Sequence, residues 1–114
     1  MKTLENLVPK LIEKTSDKSL DWTPGEHSQI FEAEIGKHAI AVWEWTSDED
    51  GTEGVSLGIK PIGAKTFSDV VFYDKYSPRH DKFLELYSCA RRSALKIDRM
   101  IAEVEKDLEG LFPF

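Results

Sequence analysis

The C-terminal third of the chain carries a stripe of apolar side chains that is too long for the body of so small a protein. Alternate spacings of four and three residues, typical of one face of a helix, relate nine positions: Phe83, Tyr87, Ala90, Ala94, Ile97, Ile101, Val104, Leu108 and Leu111. Ser77 and Pro78 predict the start of this helix, and Gly110 predicts its end. A helix over residues 78–109 would be about 50 Å long, whereas a compact chain of this size is only about 35 Å across.

Two arrangements would resolve this mismatch. In the first, the helix breaks near residues 93–98, and a second helix capped by Asp98 packs back on the first. In the second, the helix runs on and its last third is buried against a second copy of the chain. The second arrangement predicts a homodimer whose seam consists of Ile97, Ile101, Val104, Leu108 and Leu111.

The residues before this helix predict a short N-terminal helix and an antiparallel meander of three or four strands. Apolar residues recur at helical spacing over residues 4–12, and a turn is predicted over residues 23–26. Apolar and polar residues then alternate as in half-buried strands, with Gly36 and Lys37 as a two-residue hairpin turn. We therefore expect a single α+β domain over residues 1–114: short helix, antiparallel sheet, long C-terminal amphipathic helix.

The charge balance bears on the partners and the compartment of the protein. Twenty-one acidic and fifteen basic residues give a net charge of −6, which opposes nonspecific binding to nucleic acid or to an anionic membrane. Cys89 is the single cysteine, so no disulfide can form within the chain. The sequence has neither a signal peptide nor an apolar run long enough to span a bilayer. We expect a cytoplasmic protein with no membrane partner.

The predicted strand over residues 38–46 is apolar on both faces. Ile40 and Val42 lie on one face, and Trp43 and Trp45 lie on the other together with two alanines. Two tryptophans on one strand face are usually core residues. If that face is open, however, Trp43 and Trp45 are the candidate surface for a protein partner.

The sequence contains no recognisable catalytic, cofactor or metal site. His27, His38 and His80 lie in different elements without metal-ligand spacing, and Cys89 lies beside the apolar stripe as a structural thiol would. The acidic loop over residues 48–53 resembles a calcium loop only in composition. Its first and twelfth ligand positions would be a threonine and a leucine, so a solvated hairpin loop explains it better. We expect no cofactor and lean against an enzyme.

A weak basic patch invites comparison with nucleic-acid-binding domains. Arg92, Lys96 and Arg99 share one face of the predicted helix, and helix–meander–helix is also the order of elements in double-stranded-RNA-binding domains. Those domains begin their last helix with a run of lysines, whereas this chain is acidic. Arg99 and Glu103 are also spaced as an ion pair on a solvated face. Nucleic acid is therefore not the expected partner.

Three short motifs resemble a family of small uncharacterised bacterial proteins. They are Lys14-Thr15, the Leu-x-Trp of residues 20–22, and the Leu-Tyr-x-x-Ala-Arg-Arg-x-Ala-Leu of residues 86–95. The resemblance spans most of the chain. It implies the helix–meander–helix layout and a bacterial or phage source, and it brings no activity or site residues with it.

Three functional hypotheses remain. The first is a non-enzymatic protein–protein interaction module, homodimeric through the C-terminal helix. The second is a small acidic inhibitor or decoy that acts on a nucleic-acid-handling enzyme. The third is a ligand-binding or enzymatic domain whose site is assembled in space and leaves no motif in the sequence.

Overall fold

A computed structural model describes residues 1–27 and 29–111 of the chain. A 3-10 turn over Leu4–Leu7 leads into the first helix, α1. The elements that follow are α1 (Val8–Ser16), β1 (Thr23–Pro24), β2 (Ile30–Ile35), β3 (His38–Thr46), β4 (Glu53–Pro61), β5 (Asp69–Asp74), α2 (His80–Ala94) and α3 (Ile97–Gly110). The predicted α+β class, with its antiparallel meander, is confirmed.

The strands form one antiparallel sheet in the order β1-β2-β3-β4-β5. The sheet has one strand more than the upper limit predicted, because Thr23 and Pro24 pair with Glu32 and Phe31 at its edge instead of forming only a turn. Proline suits an edge strand because it has no N–H to donate to a further neighbour. Gly36, with φ of 62°, and Lys37 form the hairpin turn between Ile35 and His38, as predicted.

The hydrophobic core lies between α1, α2 and one face of the sheet, here called the inner face. Along β3, Ile40 and Val42 point into this core, as the alternation of the sequence predicts. Opposite them, α2 contributes the first part of the apolar stripe, and all four of its members are buried: Phe83, Tyr87, Ala90 and Ala94.

A buried tryptophan connects α1, the following connector and α2. The indole Nε1–H of Trp22 donates to Thr15 Oγ1 at 2.8 Å, and the Thr15 hydroxyl donates to the carbonyl oxygen of Leu11 at 2.7 Å. The backbone N–H of Trp22 donates to Ser93 Oγ at 3.0 Å. Thr15, Trp22 and Ser93 therefore meet at one structural joint, which satisfies the polar atoms of a core residue.

The long C-terminal helix predicted over residues 78–109 is interrupted. Helix α2 begins at His80, two residues later than expected, because Ser77 and Pro78 form a turn in which Ser77 Oγ accepts the N–H of Arg79 at 3.2 Å. The helix then ends at Ala94, and Lys96 adopts a left-handed conformation with φ of 54° before α3 begins. The break therefore lies within residues 93–98, as the first of the two predicted arrangements requires.

The second half of that arrangement is wrong, because α3 does not pack back on α2. No residue of α3 is buried, and the described chain extends over 61 × 37 × 25 Å. Asp98 does not cap α3 through its side chain; it pairs instead with Arg92 across the break. The exposed α3 thus continues away from the core that encloses α2.

Candidate functional site

The apolar stripe of α3 is an exposed row of large apolar side chains without cover from the described chain. The exposed fractions are 47% for Ile101, 56% for Val104, 50% for Leu108 and 68% for Leu111, whereas Ile97 at the start of the helix is half-buried. Met100, which the sequence analysis did not assign to the seam, lies at its edge and is 54% exposed. A row of large apolar side chains in water is typical of a surface that binds another protein. We call the five exposed residues the α3 stripe: Met100, Ile101, Val104, Leu108 and Leu111.

Acidic residues border the α3 stripe on both sides. A helix turns by about 100° per residue, so Glu105 and Glu109 lie along one border of the stripe, and Glu103 and Asp107 lie along the other. The two basic residues of the helix, Arg99 and Lys106, lie on the opposite face. Arg99 donates to Glu103 at 3.2 Å, so the guanidinium of Arg99 points away from the apolar face of the helix. The α3 stripe is therefore an apolar ridge with negative borders.

The weak basic patch of the sequence analysis lies at the joint between α2 and α3. Arg92, Lys96 and Arg99 line one cleft of about 450 Å³, together with Lys18 and with the partly exposed Cys89. The helix break means that the three basic residues do not continue along a single helix face. Arg92 pairs with Asp98 and Arg99 with Glu103, so two of the three are already matched by carboxylates. Exposed pairs of this kind leave little net positive charge for a phosphate backbone.

Trp43 and Trp45 lie on the outer face of the sheet, opposite the face that α1 and α2 cover. Both are half-buried, because each packs against a phenylalanine that the sequence analysis did not group with it. The Trp43 ring stacks on Phe67 with centroids 5.2 Å apart, and the Trp45 ring meets Phe72 edge-on at 6.1 Å. Phe72 itself remains 64% exposed. That this face binds a partner stays a prediction.

Two glycines of β4 make room for these aromatic rings. A Cβ at Gly54 would lie 2.1 Å from the Trp45 ring, and a Cβ at Gly58 would lie 2.7 Å from the Phe67 ring. The Trp45 and Phe67 rings therefore approach the sheet backbone closely, and the small residues Ala41 and Ser56 of β3 and β4 are buried. This arrangement explains how the outer face can be rich in aromatic residues without a covering helix.

The remaining candidates of the sequence analysis lie apart from one another. His27 lies in the β1–β2 connection, His38 at the start of β3 and His80 at the start of α2. In the part of the chain that the structure describes, no group of three or more His, Cys, Asp or Glu side chains could hold a metal ion. The acidic loop is a hairpin loop in which Asp50 accepts the N–H of Thr52 at 2.9 Å. Hydrogen bonding from the side chain of Thr52, and then from its backbone N–H, lowers the pKa of the Asp50 carboxyl.

Comparisons of the chain with models of protein families, with curated proteins and with solved structures found no match. Among residues 1–27 and 29–111, no helix has both the length and the apolar character needed to cross a membrane. Any function of this chain must therefore be inferred from its own surfaces.

Proposed function

We propose that this protein is a non-enzymatic interaction module that forms a homodimer through α3. The observation that carries the proposal is the division of one continuous apolar stripe into a buried and an exposed half. Phe83, Tyr87, Ala90 and Ala94 are buried within the chain, Ile97 is half-buried, and the later members of the stripe are exposed: Ile101, Val104, Leu108 and Leu111. Such a half-covered stripe is expected where a second molecule supplies the missing cover.

Alternative cover from the same chain is not available in the described fold. The α1 and α2 helices already pack against each other and against the inner face, and α3 makes only its short connection to α2. An isolated helix of 14 residues is also marginal in water without tertiary contacts. Docking on a second copy would both bury the α3 stripe and stabilise the helix itself.

The test is the molar mass of the full chain in solution, measured by light scattering from roughly 1 μM to roughly 500 μM, a range that includes weak protein–protein contacts. We expect the wild-type mass to rise toward that of two chains. Val104→Glu introduces a charge into the centre of the α3 stripe, and we expect it to remain monomeric over this range.

A matched control is Lys106→Gln, which makes the same change in net charge on the opposite face of α3. We expect this variant to associate like the wild type. Val104 is exposed in the single chain and glutamate favours helices more than valine does, so both variants should fold, as circular dichroism will check. A wild-type chain that stays monomeric at the highest concentration would overturn the proposal.

A further inference from the structure

An apolar groove with a basic rim runs beside α1. Its floor is formed by aliphatic side chains of α1, the connector and the inner face: Leu7, Leu11, Leu20, Ile35, Ile40 and Ile59. Lys10, Lys14 and His38 stand at its rim, and its volume is about 430 Å³. Leu7 and Ile35 are 41% and 42% exposed, so the groove is open to a partner. We call it the α1 groove.

The charge of the α1 groove is opposite to that of the chain as a whole. The protein carries a net charge of −6, yet among the described residues that line the groove there is no aspartate or glutamate. Lys10 has an exposed ion pair with Glu13 at 3.4 Å, which is weak because both groups are in water. The site therefore favours an apolar partner with negative borders.

Two α3 helices pair poorly with each other. The acidic residues border the α3 stripe on both sides, so a parallel or an antiparallel pair of α3 helices would bring carboxylates together along most of the contact. Like charges across an interface oppose association. The borders of the α3 stripe instead match the lysine rim of the α1 groove.

We propose that α3 of one copy binds in the α1 groove of a second copy, with Glu105 and Glu109, which share one border of the α3 stripe, directed toward Lys10 and Lys14. The exposed flank of α1 from Leu7 to Lys14 and the α3 stripe from Ile101 to Leu108 are each about 10 Å long, so ridge and groove match in length. This inference rests on the proposed homodimer and names its acceptor surface. It explains both unpartnered apolar surfaces with one contact.

A charge-exchange experiment on the full chain tests this contact. The groove variant Lys10→Glu/Lys14→Glu and the helix variant Glu105→Lys/Glu109→Lys are each studied alone and then mixed, with association followed by sedimentation velocity. Each variant alone opposes like charges at both contacts of a reciprocal dimer, so we expect its dissociation constant to rise at least about tenfold. In the mixture every groove meets a helix of opposite charge, and we expect the wild-type affinity to return.

A charge-matched control keeps the groove intact. Lys65→Glu/Lys106→Glu gives the same net charge as the groove variant, but it alters an exposed loop and the back of α3. We expect it to associate like the wild type, apart from a small effect of total charge that added salt removes.

The outcomes separate this inference from the proposed function. If Val104→Glu abolishes association while the groove variant associates like the wild type, the homodimer stands and the α1 groove is not its acceptor. If the groove and helix variants are each weakened but their mixture is not restored, the proposed pairing of charges is wrong. A strictly monomeric wild-type chain would overturn both.

Discussion

Trp22 shows how single residues join distant segments of this chain. Its indole is 2% exposed, and the only described partner of its Nε1–H is the Thr15 hydroxyl. The Thr15 hydroxyl in turn donates to the carbonyl oxygen of Leu11, so the hydrogen-bond chain ends on the backbone of α1. Burial of the ring is therefore coupled to the correct position of the first helix.

Thr15→Val should destabilise the protein by about 1–3 kcal/mol, because it leaves the buried indole N–H without an acceptor while keeping the shape of the side chain. Thr15→Ser retains the hydroxyl and should lose clearly less. Urea unfolding followed by tryptophan fluorescence measures both changes. A valine variant as stable as the wild type, or a serine variant that loses more stability than the valine variant, would show that the methyl group, and not the hydrogen bond, matters at this position.

Tyr87 is a second residue whose surroundings make a measurable prediction. Burial raises the pKa of its phenol, and the nearby negative charge of Glu44 raises it further. The folded protein therefore holds this proton more tightly than the unfolded chain, whose tyrosines titrate near pH 10. The stabilisation is complete below the unfolded pKa and is lost as the pH rises through the folded value.

Tyr87→Phe should accordingly reduce the loss of stability at alkaline pH. We expect the free energy of unfolding to fall less between about pH 8 and about pH 11 in this variant than in the wild type. The substitution keeps the ring that packs on Phe31, with centroids 5.5 Å apart, so the core should survive. The same alkaline loss in both proteins would contradict a raised pKa at Tyr87.

At the scale of elements, the joint between α2 and α3 decides which part of the apolar stripe is covered. Lys96 adopts a left-handed backbone conformation, which costs residues other than glycine about 1–2 kcal/mol. The ion pair between Arg92 and Asp98 spans the joint on its exposed side. The break is thus a defined turn between two helices and not a gradual loss of helical structure.

Lys96→Gly should stabilise the protein by about 0.5–1 kcal/mol, because glycine adopts the left-handed conformation without strain. Lys82→Gly, the same substitution inside α2, should destabilise it by about 1 kcal/mol. Urea unfolding followed by circular dichroism compares the two variants. Destabilisation of similar size in both would mean that Lys96 is helical in solution.

The helix break also shows where sequence patterns stop being informative. Spacings of three and four residues continue unchanged through residues 83–111, and neither glycine nor proline marks the turn at Lys96. The alternation in β3, by contrast, correctly separates Ile40 and Val42 from Trp43 and Trp45. Local periodicity predicts which face a side chain occupies, but it does not predict which element covers that face.

The same limit applies to the candidate surfaces: spacing along one segment is visible in the sequence, whereas contacts between distant segments are not. That the apolar residues of α3 share one face was predictable from their spacing, because they lie on one continuous segment. The α1 groove was not, because it combines Leu7 with Ile35 and Ile59, which only the folded sheet brings together. Similarly, Phe67 lies in the loop before β5, and nothing in the sequence pairs it with Trp43.

At the scale of the whole molecule, the protein consists of a packed body and an unpacked α3 helix. The body buries its apolar residues in one cluster between two helices and the sheet. The α3 helix and the α1 groove remain as two apolar surfaces of opposite border charge. A reciprocal dimer would close both contacts and leave no free copy of either surface, which limits assembly to two chains.

Backbone hydrogen exchange at several protein concentrations tests most directly the claim that α3 is covered only by a second copy. We expect weak protection of the α3 amides in dilute protein and increasing protection as the concentration rises. The amides of α2 should stay protected throughout, because their cover comes from the same chain. If the α3 amides exchange without protection even at the highest concentration, no second copy covers α3 and the proposed homodimer is wrong.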